Sequence, residues 1–123
     1  MANHPIVHVE IPANDPKAAS KFYADLFGWN IQVDDTFNYH MFQAEGGPGG
    51  GFVDTSGEMG YKPGEVLIYV GTDDVAASLA KAESLGATVV MPQTEIPNTG
   101  WFGIFTDPTG NRIGLFKWQN QQG

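Results

Sequence analysis

The 123-residue sequence predicts an α+β fold made of two tandem βαβββ modules. The first observation behind this prediction is a strand, a turn and a helix within residues 6–29. The second is the return of the same pattern in the second half of the chain. The third is a set of short strand-like segments after each helix. Because one module alone would leave a sheet face bare, the two modules are expected to pair and curve around a common concavity.

The first strand alternates strictly from Ile6 onward. One face carries Val7, Val9 and Ile11. The other face carries His8 and Glu10. The helix that follows offers apolar side chains at i, i+3, i+4 and i+7, namely Ala19, Phe22, Tyr23 and Leu26. If this stripe packs on the apolar face of the strand, His8 and Glu10 lie on the opposite surface of the sheet.

The sequence carries start and stop signals at the two ends of the first helix. Asn14 or Asp15 can cap its first turn, Pro16 fits that turn, and Gly28 ends the helix. Strands are expected over residues 29–33, 37–44 and 52–54. The glycine-rich residues 45–51 are interpreted as a hairpin beside a cavity rather than a phosphate loop, because no Lys-Ser/Thr pair and no helix start follows them.

The third strand alternates as well. It places His40 and Phe42 on one face and Tyr39, Met41 and Gln43 on the other. The sequence does not say which of these faces is the one that carries His8 and Glu10.

The whole chain, residues 1–123, is interpreted as one domain. Its parts are module one over about 4–55, a linker over 56–64, module two over about 65–118, and a tail over 119–123. Module two is expected to have strands over 65–70, 88–91, 101–106 and 112–118, a helix from Asp73-Asp74 to Gly86, a loop over 92–100 and a tight turn over 107–111.

An internal repeat supports the two modules. At an offset of 58, six residues of the first helix region find identical partners in the second. They are Asp15, Ala18, Ala19, Ser20, Ala24 and Gly28, matching Asp73, Ala76, Ala77, Ser78, Ala82 and Gly86. These identities fall on the predicted cap, stripe and stop of each helix.

Composition excludes several classes of function. The net charge of −8 provides no basic surface for nucleic acid and mildly favours neutral or cationic small molecules. The absence of cysteine excludes disulfides and thiolate metal sites. No apolar run approaches the roughly 18 residues of a membrane span, and the first residues lack the pattern of an export signal. A cytoplasmic location without membrane association is therefore expected.

The chain resembles the vicinal oxygen chelate superfamily, which contains glyoxalases, bleomycin-resistance proteins and extradiol dioxygenases. The resemblance rests on IVHVEIPANDPKAASKFYADLFGW at the start, on the helix of residues 73–86, and on GWFGIFTDPTGNRIGLFKW at the end. It implies a U-shaped mixed sheet around a concave site, and commonly a homodimer.

The resemblance also implies four inward positions that hold a metal in members such as glyoxalase I. Here they fall on His8, on Leu67, on or near Gly51, and on Gly114. Only His8 can ligate a metal ion, so neither a metal nor another cofactor is expected. The two glycines are expected to enlarge and de-charge the floor of the cavity.

The candidate site residues follow from the alternation and the resemblance. His8 and Glu10 are candidates for ligand binding and for acid–base catalysis. Tyr69 and Phe116 are expected to face inward and bind ligand. Trp101 is a further candidate, although either Trp101 or Phe102 could be the core residue of that strand.

Three functions remain open. The first is a protein that binds a small molecule without a metal ion, as in the bleomycin-resistance branch. The second is a lyase- or isomerase-type enzyme in which His8 and Glu10 transfer protons. The third is a vestigial site in a protein with a structural or subunit role.

Overall fold

The computed structural model describes residues 4–57 and 60–119. Residues 58 and 59 of the expected linker, and the expected tail beyond residue 119, lie outside the described residues. The elements in chain order are β1 (Ile6–Ala13), α1 (Pro16–Phe27), β2 (Asn30–Asp34), β3 (Tyr39–Gln43), β4 (Gly49–Asp54), β5 (Leu67–Gly71), α2 (Val75–Ser84), β6 (Thr88–Ile96), β7 (Gly100–Thr106) and β8 (Arg112–Trp118). The predicted α+β class with two βαβββ modules is confirmed.

The chain divides into two compact units. The amino-terminal unit is His8–Leu67, and the carboxy-terminal unit runs from Ile68 onward and includes residues 4–7. The boundaries fall within β1 and within β5, so each unit contains nearly all of one module.

The sheet of the amino-terminal unit is mixed. β1 pairs with β4 in parallel, while β3 pairs with both β2 and β4 in antiparallel fashion. Helix α1 packs on one face over a core of Ala13, Phe42 and Phe52, joined by Val9, Ile11, Ala19, Tyr23, Trp29 and Ile31. The predicted apolar face of β1 is therefore the helix side of the sheet.

The predicted stripe of α1 is only half correct. Ala19 and Tyr23 pack on the core, but Phe22 is 58% exposed and Leu26 is 57% exposed. The aromatic stack explains the difference, since the Tyr23 ring lies 5.4 Å from the Trp29 ring. The Tyr23 ring also lies 5.6 Å from the Phe52 ring. The buried face of the helix therefore contains Tyr23 and the small residue Ser20.

The ends of α1 follow the sequence signals. Asp15, not Asn14, is the cap, because its side chain accepts a hydrogen bond from the Ala18 N–H at 3.2 Å. Asn14 instead accepts a 2.5 Å hydrogen bond from the Thr55 hydroxyl. Gly28 ends the helix in the left-handed region, with φ of 75°.

Strand β4 begins at Gly49, earlier than the expected start at residue 52. Part of the glycine-rich stretch is thus sheet rather than turn. Gly50 lies so close to the Val9 carbonyl and the Phe42 ring that a Cβ atom there would overlap both. Glycine at this position allows the aromatic core to approach the backbone.

The carboxy-terminal unit repeats the arrangement with a core whose fully buried residues are aliphatic. β5 pairs with β8 in parallel, and β7 lies antiparallel between β8 and β6. Helix α2 covers this sheet over a core of Val75, Leu79 and Leu115.

The caps correct the offset of the internal repeat. The Asp74 side chain accepts from the Ala77 N–H at 3.0 Å, just as Asp15 accepts from Ala18. At the cap, Asp15 therefore corresponds to Asp74, an offset of 59, and the alignment at 58 is wrong by one residue there. At the other end of the helices the offset of 58 holds, since Gly28 and Gly86 both have positive φ. Asp73-Asp74 provides an aspartate at either offset, and the additional identities at 58 come from the Ala, Ser and Gly residues of the helix region.

Strand β6 extends through most of the segment that was predicted as a loop. It runs to Ile96, and its pairing with β7 shifts between Val89 and Met91 and again between Met91 and Thr94. These irregularities accommodate Pro92, which has no N–H for the ladder.

The final turn matches its prediction. The Asp107 carboxylate accepts hydrogen bonds from the N–H groups of Thr109, Gly110 and Asn111. Neither helix in the described part of the chain has the length and apolar character to cross a membrane.

Candidate functional site

A polar cluster of His8, Glu10 and Tyr39 lies on the helix-free face of the amino-terminal sheet. The strand registers place it there, because Glu10 pairs with Gly51 and Gly51 pairs with Met41. Tyr39 precedes Met41 by two residues and so shares its face. The placement predicted for His8 and Glu10 relative to α1 is thus the one that the structure has.

The three side chains form a continuous hydrogen-bonded chain. The Tyr39 hydroxyl donates to Glu10 Oε2 at 2.8 Å. His8 Nε2 lies 2.9 Å from the same hydroxyl oxygen. His8 Nε2 is 3.9 Å from Glu10 Oε2, so the phenol, rather than direct contact, links the imidazole to the carboxylate.

Burial determines the charge states of this cluster. Burial lowers the pKa of His8 from 6.5 to about 4, so the imidazole is neutral at pH 7 and the short distance to Glu10 is not an ion pair. The pKa of Tyr39 is raised far above its usual value, first by burial and then by the charge of Glu10 and the hydrogen bond to it. The Tyr39 phenol therefore keeps its proton.

The position of Gly51 is covered by Tyr39. A Cβ atom on Gly51 would overlap the Tyr39 hydroxyl and ring. The expectation that this glycine enlarges the cavity floor is therefore wrong, since a side chain from the neighbouring strand fills the space. Glycine at 51 is what allows the phenol to reach Glu10.

In the carboxy-terminal unit a tyrosine ring also covers a glycine of the neighbouring strand. Tyr69 pairs with Gly114, and a Cβ atom on Gly114 would overlap the Tyr69 ring. The enlargement expected at Gly114 is wrong for the same reason. Tyr69 and Phe116 lie on the helix-free face as predicted, since Leu115, between Gly114 and Phe116, packs with α2. Tyr69 is 5% exposed and Phe116 is 8% exposed.

The assignment of Trp101 to the ligand face is corrected by its packing. Trp101 packs against the core under α2, and the Lys117 ammonium lies 5.6 Å from its ring centre. Phe102 pairs with Phe116 and takes the opposite face. Strand alternation left the choice between the two open, and the register of β7 with β8 decides it.

His40 does not join the polar cluster. It pairs with Phe52 and Val33, and so shares the helix side of the sheet with Phe42. Its Nδ1 atom is buried without a hydrogen-bond partner.

The four-ligand metal arrangement implied by the resemblance does not fit these residues. Leu67 is apolar, and rings of Tyr39 and Tyr69 cover the two glycine positions. His8 Nε2 already contacts a phenol. Among the residues that the structure describes, no three His, Cys, Asp or Glu side chains converge as a metal site would require.

A separate groove of about 760 Å³ lies near the end of α1 and the glycine-rich turn. Phe27, Trp29, Gln43, Glu45 and Gly47 are among the residues that line it, and none belongs to the polar cluster. The glycine-rich stretch thus forms a hairpin beside a cavity, as predicted. The cluster is the stronger candidate site, because its polar side chains converge on one another.

Sequence reasoning missed Tyr39 as a member of the site. The alternation of β3 contained the signal, because Phe42 is a natural core residue and Tyr39 lies on the other face from it. Once Phe42 is assigned to the face that packs on α1, alternation puts Tyr39 on the face of His8 and Glu10.

Comparison with known proteins agrees with this fold. The family model described as Glyoxalase/Bleomycin resistance protein/Dioxygenase superfamily matches residues 5–115. CFP32 of Mycobacterium bovis, whose name places it with the glyoxylases, is 33% identical over 125 residues that cover 89% of this chain and 44% of that protein. The chain thus spans less than half the length of this relative.

Other relatives match over most of their length. A glyoxylase-like domain-containing protein of Didymella fabae is 31% identical over 110 residues, covering 84% of this chain and 85% of that one. Methylmalonyl-CoA epimerase from Mycobacterium tuberculosis shares the fold, with a TM-score of 0.72 and 15% identity over 98% of this chain and 91% of that one.

A further solved structure, hypothetical protein BH1468 from Bacillus halodurans, has a TM-score of 0.75 and 11% identity, covering 98% of this chain and 99% of that one. At such identities the solved structures bear on the fold alone. The family model and the relatives above 30% identity also establish the family. With its two βαβββ modules, this chain belongs to the glyoxalase/bleomycin resistance protein/dioxygenase superfamily.

Proposed function

We propose that this protein binds a small organic molecule at the polar cluster of His8, Glu10 and Tyr39, without using a divalent metal ion. The single observation that carries the proposal is the hydrogen-bonded chain between these three side chains on a helix-free sheet face. Partly buried polar groups on such a surface fix the orientation of a ligand through hydrogen bonds. The net charge of −8 favours a neutral or cationic molecule.

Tyr69 and Phe116 are proposed to contribute to ligand binding from their own unit, as aromatic groups suited to a flat or apolar ligand. Trp101 is left out because of its packing under α2. A cytoplasmic homodimer is proposed as the form in which the protein acts, following the sequence and the family resemblance.

Native mass spectrometry of protein purified without chelators, combined with metal analysis, tests the proposal. We expect a bound organic molecule, lost in His8→Gln and retained in His4→Gln, because His4 contacts the Gly71 carbonyl instead of the cluster. The same spectra give the number of subunits. A stoichiometric divalent ion that disappears in His8→Gln would contradict the metal-free proposal, and an empty wild-type protein would favour the vestigial alternative.

A second candidate is a lyase- or isomerase-type reaction in which His8 and Glu10 transfer protons. The linked carboxylate, phenol and imidazole favour it, because such a chain can move a proton between its ends. The test is incubation of the protein in D₂O with the small-molecule fraction of a cell extract. An enzyme would introduce deuterium at carbon into one component, and Glu10→Gln would abolish the exchange. No exchange with the wild-type protein would contradict this second candidate.

A further inference from the structure

We propose that Tyr39 is a positioning residue that fixes the His8 ring in one tautomer, with the proton on Nε2. The evidence is the geometry of three atoms. The Tyr39 hydroxyl oxygen lies 2.8 Å from Glu10 Oε2 and 2.9 Å from His8 Nε2. This inference deepens the proposed function and rests on the same cluster.

Proton counting determines the tautomer. A phenol has a single proton to donate, and Tyr39 donates it to the Glu10 carboxylate. Toward His8 the phenol oxygen can then only accept a hydrogen bond. Nε2 must carry the hydrogen of the neutral ring, which leaves the lone pair on Nδ1.

The opposite direction of donation is unfavourable. If Tyr39 donated to His8 Nε2, its oxygen would face Glu10 Oε2 at 2.8 Å with no hydrogen between two acceptors. The phenol is also held in place by the sheet, because its ring lies over Gly51 where no side chain competes for the space. The glycine, the phenol and the tautomer therefore depend on one another.

The tautomer decides what His8 can do in the site. Protonated Nε2 cannot ligate a cation while its bond to Tyr39 persists. Nδ1 acts as a hydrogen-bond acceptor, so a group that meets this nitrogen must bring a hydrogen. Tyr39 thereby sets the chemistry of the histidine that the family resemblance points to.

The test is long-range ¹H–¹⁵N correlation NMR of uniformly ¹⁵N-labelled protein at pH 7.5, with His8→Gln to assign the His8 ring signals. We expect the wild-type His8 ring to be almost entirely in the Nε2–H form. In Tyr39→Phe the ratio of the two tautomers should fall by about fivefold or more, because one hydrogen bond of ordinary strength is lost. The aromatic ring over Gly51 is kept in this variant.

Tyr23→Phe is the matched control, since Tyr23 packs on the helix side of the same unit. It should leave the His8 signals unchanged. A wild-type ring in the Nδ1–H form, or a tautomer ratio that Tyr39→Phe leaves unchanged, would overturn the inference. The proposed function fails separately, because a protein without bound molecule or exchange activity can still show the tautomer.

Discussion

The two units share a fold and differ in the chemistry of their helix-free faces. Strand pairing makes Glu10 and Gly51 of one unit the counterparts of Tyr69 and Gly114 of the other. In both units a tyrosine ring lies over the glycine of the last strand. In the amino-terminal unit that tyrosine comes from β3, which leaves the first strand free to carry His8 and Glu10.

In the carboxy-terminal unit the tyrosine occupies the first strand itself, at the position equivalent to Glu10. Leu67, the first residue of the same strand, takes the position equivalent to His8, so neither acid–base group has a counterpart in module two. Both modules thus keep a tyrosine ring over a glycine of the last strand. Acid–base side chains remain beside the ring only where the tyrosine comes from a strand other than the first.

The cores of the two units offer the largest test of this comparison. Phe52 is 1% exposed and packs against the Phe42 ring, whereas Leu79 is 5% exposed in a cluster whose fully buried residues are all aliphatic. We expect Phe52→Ala to lower the free energy of unfolding by about 3–5 kcal/mol and Leu79→Ala by about 2–5 kcal/mol. Urea denaturation measures both. The exposed Phe22→Ala should stay within about 0.5 kcal/mol of wild type, and an equal loss there would contradict the placement of α1.

Acid titration should separate the polar unit from its apolar counterpart. The pKa of His8 is about 4 in the folded protein and ordinarily 6.5, so between these values the unfolded chain binds a proton that the folded chain does not. The stabilisation is complete above pH 6.5 and is lost as the pH falls toward 4, by at most about 3 kcal/mol. We expect His8→Gln to remove this part of the pH dependence. Urea unfolding at pH 7.5 and pH 4.5 measures it.

The exposed His4 provides the control for this titration. His4→Gln should keep the acid sensitivity of the wild type. Parallel loss of stability in wild type and His8→Gln would show that burial of His8 does not control the acid response.

The paired glycines and tyrosines test what the two units have in common. Gly51→Ala and Gly114→Ala should each destabilise by about 1–3 kcal/mol, because the added Cβ overlaps a tyrosine ring. In double-mutant cycles, Gly51→Ala should cost much less with Tyr39→Ala, and Gly114→Ala much less with Tyr69→Ala. Gly47→Ala is the control, since no atom lies within 4 Å of the added Cβ. Additive energies in either cycle would mean that the ring does not explain that glycine.

Local signals in the sequence predicted most of the fold. The alternation of β1, the left-handed Gly28 and the Asp107 turn depend on neighbouring residues only, and each is observed as predicted. Trp101 and Tyr39 depend instead on strand register, which pairs residues far apart in the chain. Alternation alone gave two equivalent faces for each strand and no means to choose between them.

The errors at the helices have a different cause. The stripe of α1 was wide enough to pack along either edge, and stacking of Tyr23 on Trp29 and Phe52 decides which edge is buried. Leu26 is left exposed as a result. The candidate site was predictable for His8 and Glu10, which lie on a local strand. It was not predictable for the phenol that joins them.

The helix caps give the smallest effect and the most direct check on which residues of the two units correspond. Asp15→Ala and Asp74→Ala should each destabilise by about 1 kcal/mol, because each carboxylate accepts a hydrogen bond from an N–H of the first turn. Asp73→Ala should change stability much less, since Asp74 is the residue at the cap. Thermal or urea unfolding measures all three. A larger loss for Asp73→Ala than for Asp74→Ala would contradict Asp74 as the cap of α2 and would restore the offset of 58 at the start of the helix.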